Sequence, residues 1–152
     1  MSVTALRRAL LVATIMFGCV AVPTANASSR HDATEAQIIR ALNQARASHG
    51  LPKLSSSRPL ARAAHAHSRA MRRANAIQHG DYAARLRRYV RSRKVGENVA
   101  WREGCSPSEI VRMWLNSAPH RKVMLSRSFR RIGVGRSGSQ TCFVTADFAS
   151  AR

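Results

Sequence analysis

Hydrophobic residues change their spacing part-way along this chain, and the change limits the folds open to it. Ile38, Ile39, Leu42 and Ala45 recur at helical intervals, as do Leu60, Ala63, Ala64, His67, Met71 and Ala74. Spacing of this kind lines one face of a helix. Beyond residue 130 the period becomes two. Ile132 and Val134 alternate with Gly133 and Gly135, Ser137-Gly138 offers a turn, and Cys142, Val144, Ala146 and Phe148 alternate with Thr141, Thr145 and Asp147. That pattern predicts a β-hairpin with one buried face, and only Phe143 breaks its polar side. Helices followed by a terminal hairpin predict an α+β fold, a small antiparallel sheet covered by helices.

Local signals divide the helical part. Thr34 and Gln37 suit a capping box, and His49-Gly50 marks a helix end with glycine just beyond it. Leu51-Pro52-Lys53-Leu54 reads as an extended connector, and Pro59 opens a second helix that ends near Asn75. Residues 82–94 form a third, short and very basic segment, and Val95–Trp101 is strand-like. Ser106-Pro107-Ser108-Glu109 predicts the start of a helix whose apolar face is Ile110, Val111, Trp114 and Leu115. Pro119 opens another short turn, through Leu125. No internal repeat or linker divides the chain.

The N-terminus sets the context. Arg7 and Arg8 precede fourteen uncharged residues, Ala9 to Val22, and Ala25-Asn26-Ala27 reads as a small-x-small cleavage site. This is the grammar of a secretory signal peptide. The apolar run falls short of the roughly 20 residues that span a bilayer, which disfavours an uncleaved anchor. Cys19 sits in a poor lipidation box, because Met16 and Phe17 fit it badly. The expected organisation is a signal peptide over 1–27, a flexible leader over 28–35 and one domain over 36–150. The product is expected to be secreted, extracellular or in the cell envelope, monomeric, and without a stable membrane anchor after cleavage.

Export changes what the charge and the cysteines mean. The 152 residues hold 26 Lys plus Arg against 7 Asp plus Glu, a formal net charge of +19. Losing Arg7 and Arg8 would lower this to +17 on 125 residues. A basic patch first suggests nucleic acid. Export argues against a genomic partner, however, and the basic segment offers only Tyr82 and Tyr89 for base stacking. Arg85, Arg87, Arg88, Arg91, Arg93 and Lys94 form either a solvated face or a contact surface for an anionic envelope polymer or lipid headgroups. Of the three cysteines, Cys105 and Cys142 would remain. In an oxidising compartment they read as one disulfide, the alternative being two buried thiols.

Among the histidines, His31 and His49 carry no assignment, and His65 and His67 point to different faces of one helix. His67 lies on the apolar stripe and reads as a packed helix residue. No HExxH pair is present. That leaves His79 and His120 in loop-like contexts, and Glu97 inside an otherwise apolar strand. A buried carboxylate costs several kcal/mol unless something compensates it. A histidine, a metal or a fan of backbone N–H groups would each do so.

The ordered segments Leu42-Asn43-Gln44-Ala45-Arg46, Leu60-Ala61-Arg62-Ala63-Ala64, His79, Gly96-Glu97-Asn98-Val99-Ala100, Met113-Trp114-Leu115-Asn116-Ser117, Pro119-His120-Arg121, Ile132-Gly133-Val134-Gly135 and Asp147-Phe148-Ala149 resemble the CAP superfamily. This superfamily joins cysteine-rich secretory, antigen 5 and pathogenesis-related 1 proteins. The resemblance is to its compact bacterial branch and covers about residues 36–149. It implies an α-β-α sandwich with a cleft that often carries two His and two Glu, which in some members bind a divalent metal such as zinc. His79, Glu97 and His120 match three of the four, and Ser117 stands where the second Glu would fall. Two His, one Glu and a water could still form an open zinc site. A hydrogen-bonded cleft network without metal is the alternative. The functional expectation is a non-catalytic domain binding a lipid or envelope component in its cleft. The competing one is a metal-dependent, peptidase-like hydrolase with Glu97 as ligand or base.

Overall fold

A computed structural model of the chain describes residues 27–151. The expected signal segment, apart from Ala27, and Cys19 within it lie outside the described residues. The elements run α1 (Ala27–Ser48), β1 (Ser55–Ser56), α2 (Arg58–Ala74), α3 (Tyr82–Arg87), β2 (Val95–Glu103), α4 (Pro107–Asn116), α5 (Ala118–Met124), β3 (Arg131–Ser137) and β4 (Thr141–Ala149). The sheet order is β1-β3-β4-β2. β3 and β4 form the expected hairpin, and β2 pairs antiparallel with β4 along its whole length. The sheet is mixed, because the two residues of β1 pair parallel with β3 at its other edge.

Both faces of the sheet are covered. Ile132, Val134, Val144, Ala146 and Phe148 pack on one side with Ile38 and Leu42 of α1, Trp114 of α4 and Met124 of α5. On the other side Met71 of α2 packs with Val99 and Phe143. Leu60 and Ala63 of α2 meet Leu86 of α3, Val90 and Ala149 there. This corrects the expectation of a hairpin with one buried face. Phe143 is apolar on the supposed polar side because α2 covers that side, giving an α-β-α sandwich. α2 lies so close to β3 that a Cβ added at Gly133 would land on the Ala61 nitrogen and on Leu60, and one at Gly135 on the His65 nitrogen. The glycines that look like strand breakers are the seam that admits the helix.

Some boundaries moved. α1 begins at Ala27, so helical backbone runs through the stretch read as a leader over 28–35. Glu35 within it is buried, accepts a hydrogen bond from the Arg136 backbone N–H at 3.0 Å and lies 3.1 Å from His65 Nε2. α1 ends at Ser48, just before the expected His49-Gly50 stop, and Gly50 has a φ of 64°. The basic segment 82–94 is helical only to Arg87. Asp81 caps it by accepting from the Ala84 N–H at 2.9 Å, and a turn then buries Val90 beside Leu86. α4 starts at Pro107 after Ser106, yet Ser106 makes no side-chain cap bond. Glu109 pairs with Arg102 instead, at 2.7 Å. Cys105 and Cys142 are joined in a disulfide with Cα atoms 5.6 Å apart, tying the loop before α4 to β4.

Candidate functional site

Period-two geometry puts Glu97 and Asp147 side by side. They are directly paired residues of β2 and β4, and the pleat turns both toward the α2–α3 layer. Both side chains are fully buried. Two adjacent carboxylates in an apolar layer need a cation, and α3 delivers one. Arg85 Nη2 donates to Glu97 Oε2 and, at 3.1 Å, to Asp147 Oδ1. Its Nη1 donates to the Ala63 carbonyl of α2 at 3.1 Å and lies 3.4 Å from Asp147 Oδ2. Burial pushes the Glu97 carboxyl up to about 7 against the opposing pull of Arg85. Burial, with the neighbouring Glu97, likewise pushes Asp147 up to about 7.

Three histidines surround this core. His79, on the loop after α2, donates from Nδ1 to Glu97 Oε1 at 2.8 Å, and its side chain is 47% exposed. His67 of α2 is buried. It donates from Nε2 to the Gln78 carbonyl at 2.8 Å, which fixes its tautomer and holds the loop carrying His79. The same nitrogen is 3.6 Å from Glu97 Oε2. His120 stands in the first turn of α5, with its carbonyl held by the Asn98 side-chain amide at 3.0 Å. Its ring centroid is 6.3 Å from that of His79. Its Nδ1 is buried without a hydrogen-bond partner among the described residues. Burial lowers the His67 and His120 pKa values, so both rings are neutral near pH 7.

The structure thus brings His79, Glu97 and His120 together, with His79 joining the other two. Ser117 stands at the junction between α4 and α5, three residues before His120, and its side chain makes no cap bond. The basic segment divides. Arg87, Arg88, Arg91, Arg93 and Lys94 are exposed, but Arg85 is not part of any basic surface: its side chain is 14% exposed and belongs to the cleft. Sequence reasoning missed Asp147 and the contribution of His67. The register of β2 against β4 was the signal for Asp147. Nothing in linear spacing marked Arg85 out from its five basic neighbours.

The same geometry shows how the three residues are engaged with one another. Glu97 accepts from His79 on one oxygen and from Arg85 on the other. Among the described residues no group of three or more His, Cys, Asp or Glu is arranged to hold a metal ion. As placed, these residues make an ion-paired hydrogen-bond network, with a guanidinium where a bound cation would compensate the carboxylates. What the network leaves for a ligand is the outer side of His79 and the neutral ring of His120.

The family described as CAP, cysteine-rich secretory protein family, matches residues 39–148. In Bacillus subtilis, the uncharacterized membrane protein YlbC is 36% identical over 108 residues, 67% of this chain and 31% of that protein. The uncharacterized protein YkwD of the same organism is 34% identical over 124 residues, 76% of this chain and 48% of that protein. The chain therefore spans under half the length of these relatives. A Bacillus anthracis extracellular protein containing an SCP domain superposes with a TM-score of 0.73 at 31% identity, over 80% of this chain and 41% of that one. An outer surface protein of Borrelia burgdorferi shares the fold at a TM-score of 0.71 and 18% identity, over 79% of this chain and 94% of that one. Matched by the family over most of its domain and superposable on a bacterial SCP domain, the chain belongs to the CAP family of cysteine-rich secretory proteins.

Proposed function

We infer that this CAP domain is an exported, non-catalytic binding protein that holds an anionic lipid or envelope component at the His79–His120 rim of its cleft. The observation that carries the reading is the double engagement of Glu97. With one oxygen held by His79 and the other by Arg85, Glu97 is already engaged in the network, which supports a binding role over work as a general base or metal ligand. The rings of His79 and His120 can instead offer hydrogen bonds to an acidic group. Exposed Arg87, Arg88, Arg91, Arg93 and Lys94 would raise the association rate with anionic material. Two features support export: the similar Bacillus anthracis protein is described as extracellular, and the N-terminal sequence has signal-peptide grammar. Among the described residues no helix is long and apolar enough to cross a membrane.

Co-sedimentation with anionic phospholipid vesicles and with purified cell-envelope material tests the reading. His79→Ala combined with His120→Ala should weaken binding at least tenfold. Arg87→Gln, Arg88→Gln and Arg91→Gln together should flatten its salt dependence. Unchanged binding by the double histidine variant would refute the cleft reading.

A further inference from the structure

The chain's two tryptophans have opposite surroundings. Trp114 is fully buried and donates its indole N–H to the Val99 carbonyl at 2.9 Å. Trp101, on β2, is 48% exposed. It lies on the same sheet face as Glu97 but four residues along the strand, about 13 Å away at the usual rise, so it is no part of the cleft network. Its ring borders a hollow of about 410 Å³ whose polar lining includes Arg72, Asn75, Gln140 and Thr141. The side chains of these four make no hydrogen bond among the described residues.

Arg72 also lines a second hollow, of about 240 Å³, formed with Arg69, Arg73 and Ser137. These arginines are spaced three and four apart on α2, where like charges repel one another by a few tenths of a kcal/mol per pair. None of the three is paired with a carboxylate among the described residues. The negative end of the helix favours cations in its last turn, which accounts for Arg72 and Arg73 but not for Arg69.

The two hollows share Arg72 in their lining and so adjoin on either side of it. A half-exposed indole with amides and a hydroxyl lies on one side, and a guanidinium cluster on the other. We propose that this strip, Trp101 through Arg72 to Arg69 and Arg73, is a binding site for an acidic saccharide. A sugar ring would stack its C–H face on Trp101, with its hydroxyls on Asn75, Gln140 and Thr141. A carboxylate on that ring or the next would bind the arginines, whose forked donors match it. A nucleic-acid strand fits less well, because it would need successive stacking platforms and the strip offers one exposed aromatic. The site is separate from the His79–His120 rim and stands or falls independently of the cleft reading.

The experiment is a calorimetric titration of the whole protein with hexagalacturonate, with N-acetylglucosamine hexamer as the neutral control and an eight-nucleotide thymidine strand as the competitor. Tryptophan emission is followed in parallel, with Trp114 as a buried constant background. The acidic hexamer should bind saturably and shift the emission. Trp101→Ala should lose at least tenfold in affinity and the emission change, and Trp101→Phe should retain most of the binding. Arg69→Gln, Arg72→Gln and Arg73→Gln together should lose at least tenfold for the acidic hexamer. Unchanged affinity in a folded Trp101→Ala variant overturns the proposal. So does neutral-hexamer binding as tight as that of the acidic one, or tighter binding of the oligonucleotide. His79→Ala with His120→Ala should leave this titration unchanged, which separates failure of this site from failure of the cleft.

Discussion

Glu97 and Asp147 sit opposite each other on β2 and β4 and share one cation, Arg85. Removing that cation should be severe. Arg85→Met keeps most of the packing volume but strands two buried carboxylates. Urea unfolding at pH 8.5, above the value of about 7 at which both carboxyls titrate in the wild type, should show a loss of about 3–5 kcal/mol. Adding Asp147→Asn should restore part of it, because the remaining pair of like charges is then reduced to one. An unchanged midpoint would mean that the pair is charge-compensated in some other way.

The same pair sets a pH dependence. Both carboxyls are raised to about 7 in the folded protein, above their ordinary values near 4. The folded state therefore binds more protons than the unfolded state between about pH 4 and 7. Stability from this source is fully present below pH 4 and is lost as pH rises through 7. Thermal melts should show Tm falling between pH 5 and 7.5. Asp147→Asn should flatten that slope; a slope that the substitution leaves intact would assign it to other groups.

Zinc should find no prepared shell. Calorimetric titration of zinc into the wild type, His79→Ala and His120→Ala is expected to give indistinguishable heats. A stoichiometric heat confined to the wild type would show that Arg85 yields Glu97 to a metal.

The glycine seam can be tested by one methyl group. Gly133→Ala would drive a Cβ into the α2 backbone at Ala61. Overpacking of this kind costs about 1–3 kcal/mol or more, because backbone has to move. Gly50→Ala meets no neighbour, but φ there is 64°, so it should cost about 1 kcal/mol through strain alone. Equal losses at the two positions would contradict the close approach of α2 to β3.

The disulfide closes a loop with a sequence separation of 37. Replacing Cys105 and Cys142 by serine should lower stability by about 2–4 kcal/mol. Mass analysis after alkylation without reductant should find both thiols protected in the wild type.

How much of this could be read from the sequence depended on whether the cause was local. The terminal hairpin, the glycine end of α1, the proline starts of α2 and α4 and the cysteine pair were legible because neighbouring residues dictate them. The convergence of His79, Glu97 and His120 was legible only through the ordered resemblance, since a loop, an edge strand and the start of α5 bring them together. Phe143 and the two strand glycines looked like exceptions because covering the second face by α2 is a tertiary event. Arg85 was hidden among basic neighbours. Its selection depends on where one turn of α3 points, and on two carboxylates 12 and 62 residues away.

Arg46 of α1 is fully buried and is held by backbone carbonyls: Pro52 at 3.0 Å, Met124 at 2.6 Å and Ser126 at 3.0 Å. With 26 basic and 7 acidic residues, carboxylates are too scarce for every interior arginine. This guanidinium therefore acts as a multi-pronged staple for main chain, and its charge goes largely unused. Two of its three attachment points lie at the C-terminal end of α5, the helix whose other end presents His120. The far end of the helix that carries a cleft histidine is thus anchored to the first helix, by a residue outside the cleft network. Sequence changes in α1 should be counted among those that can retune the site.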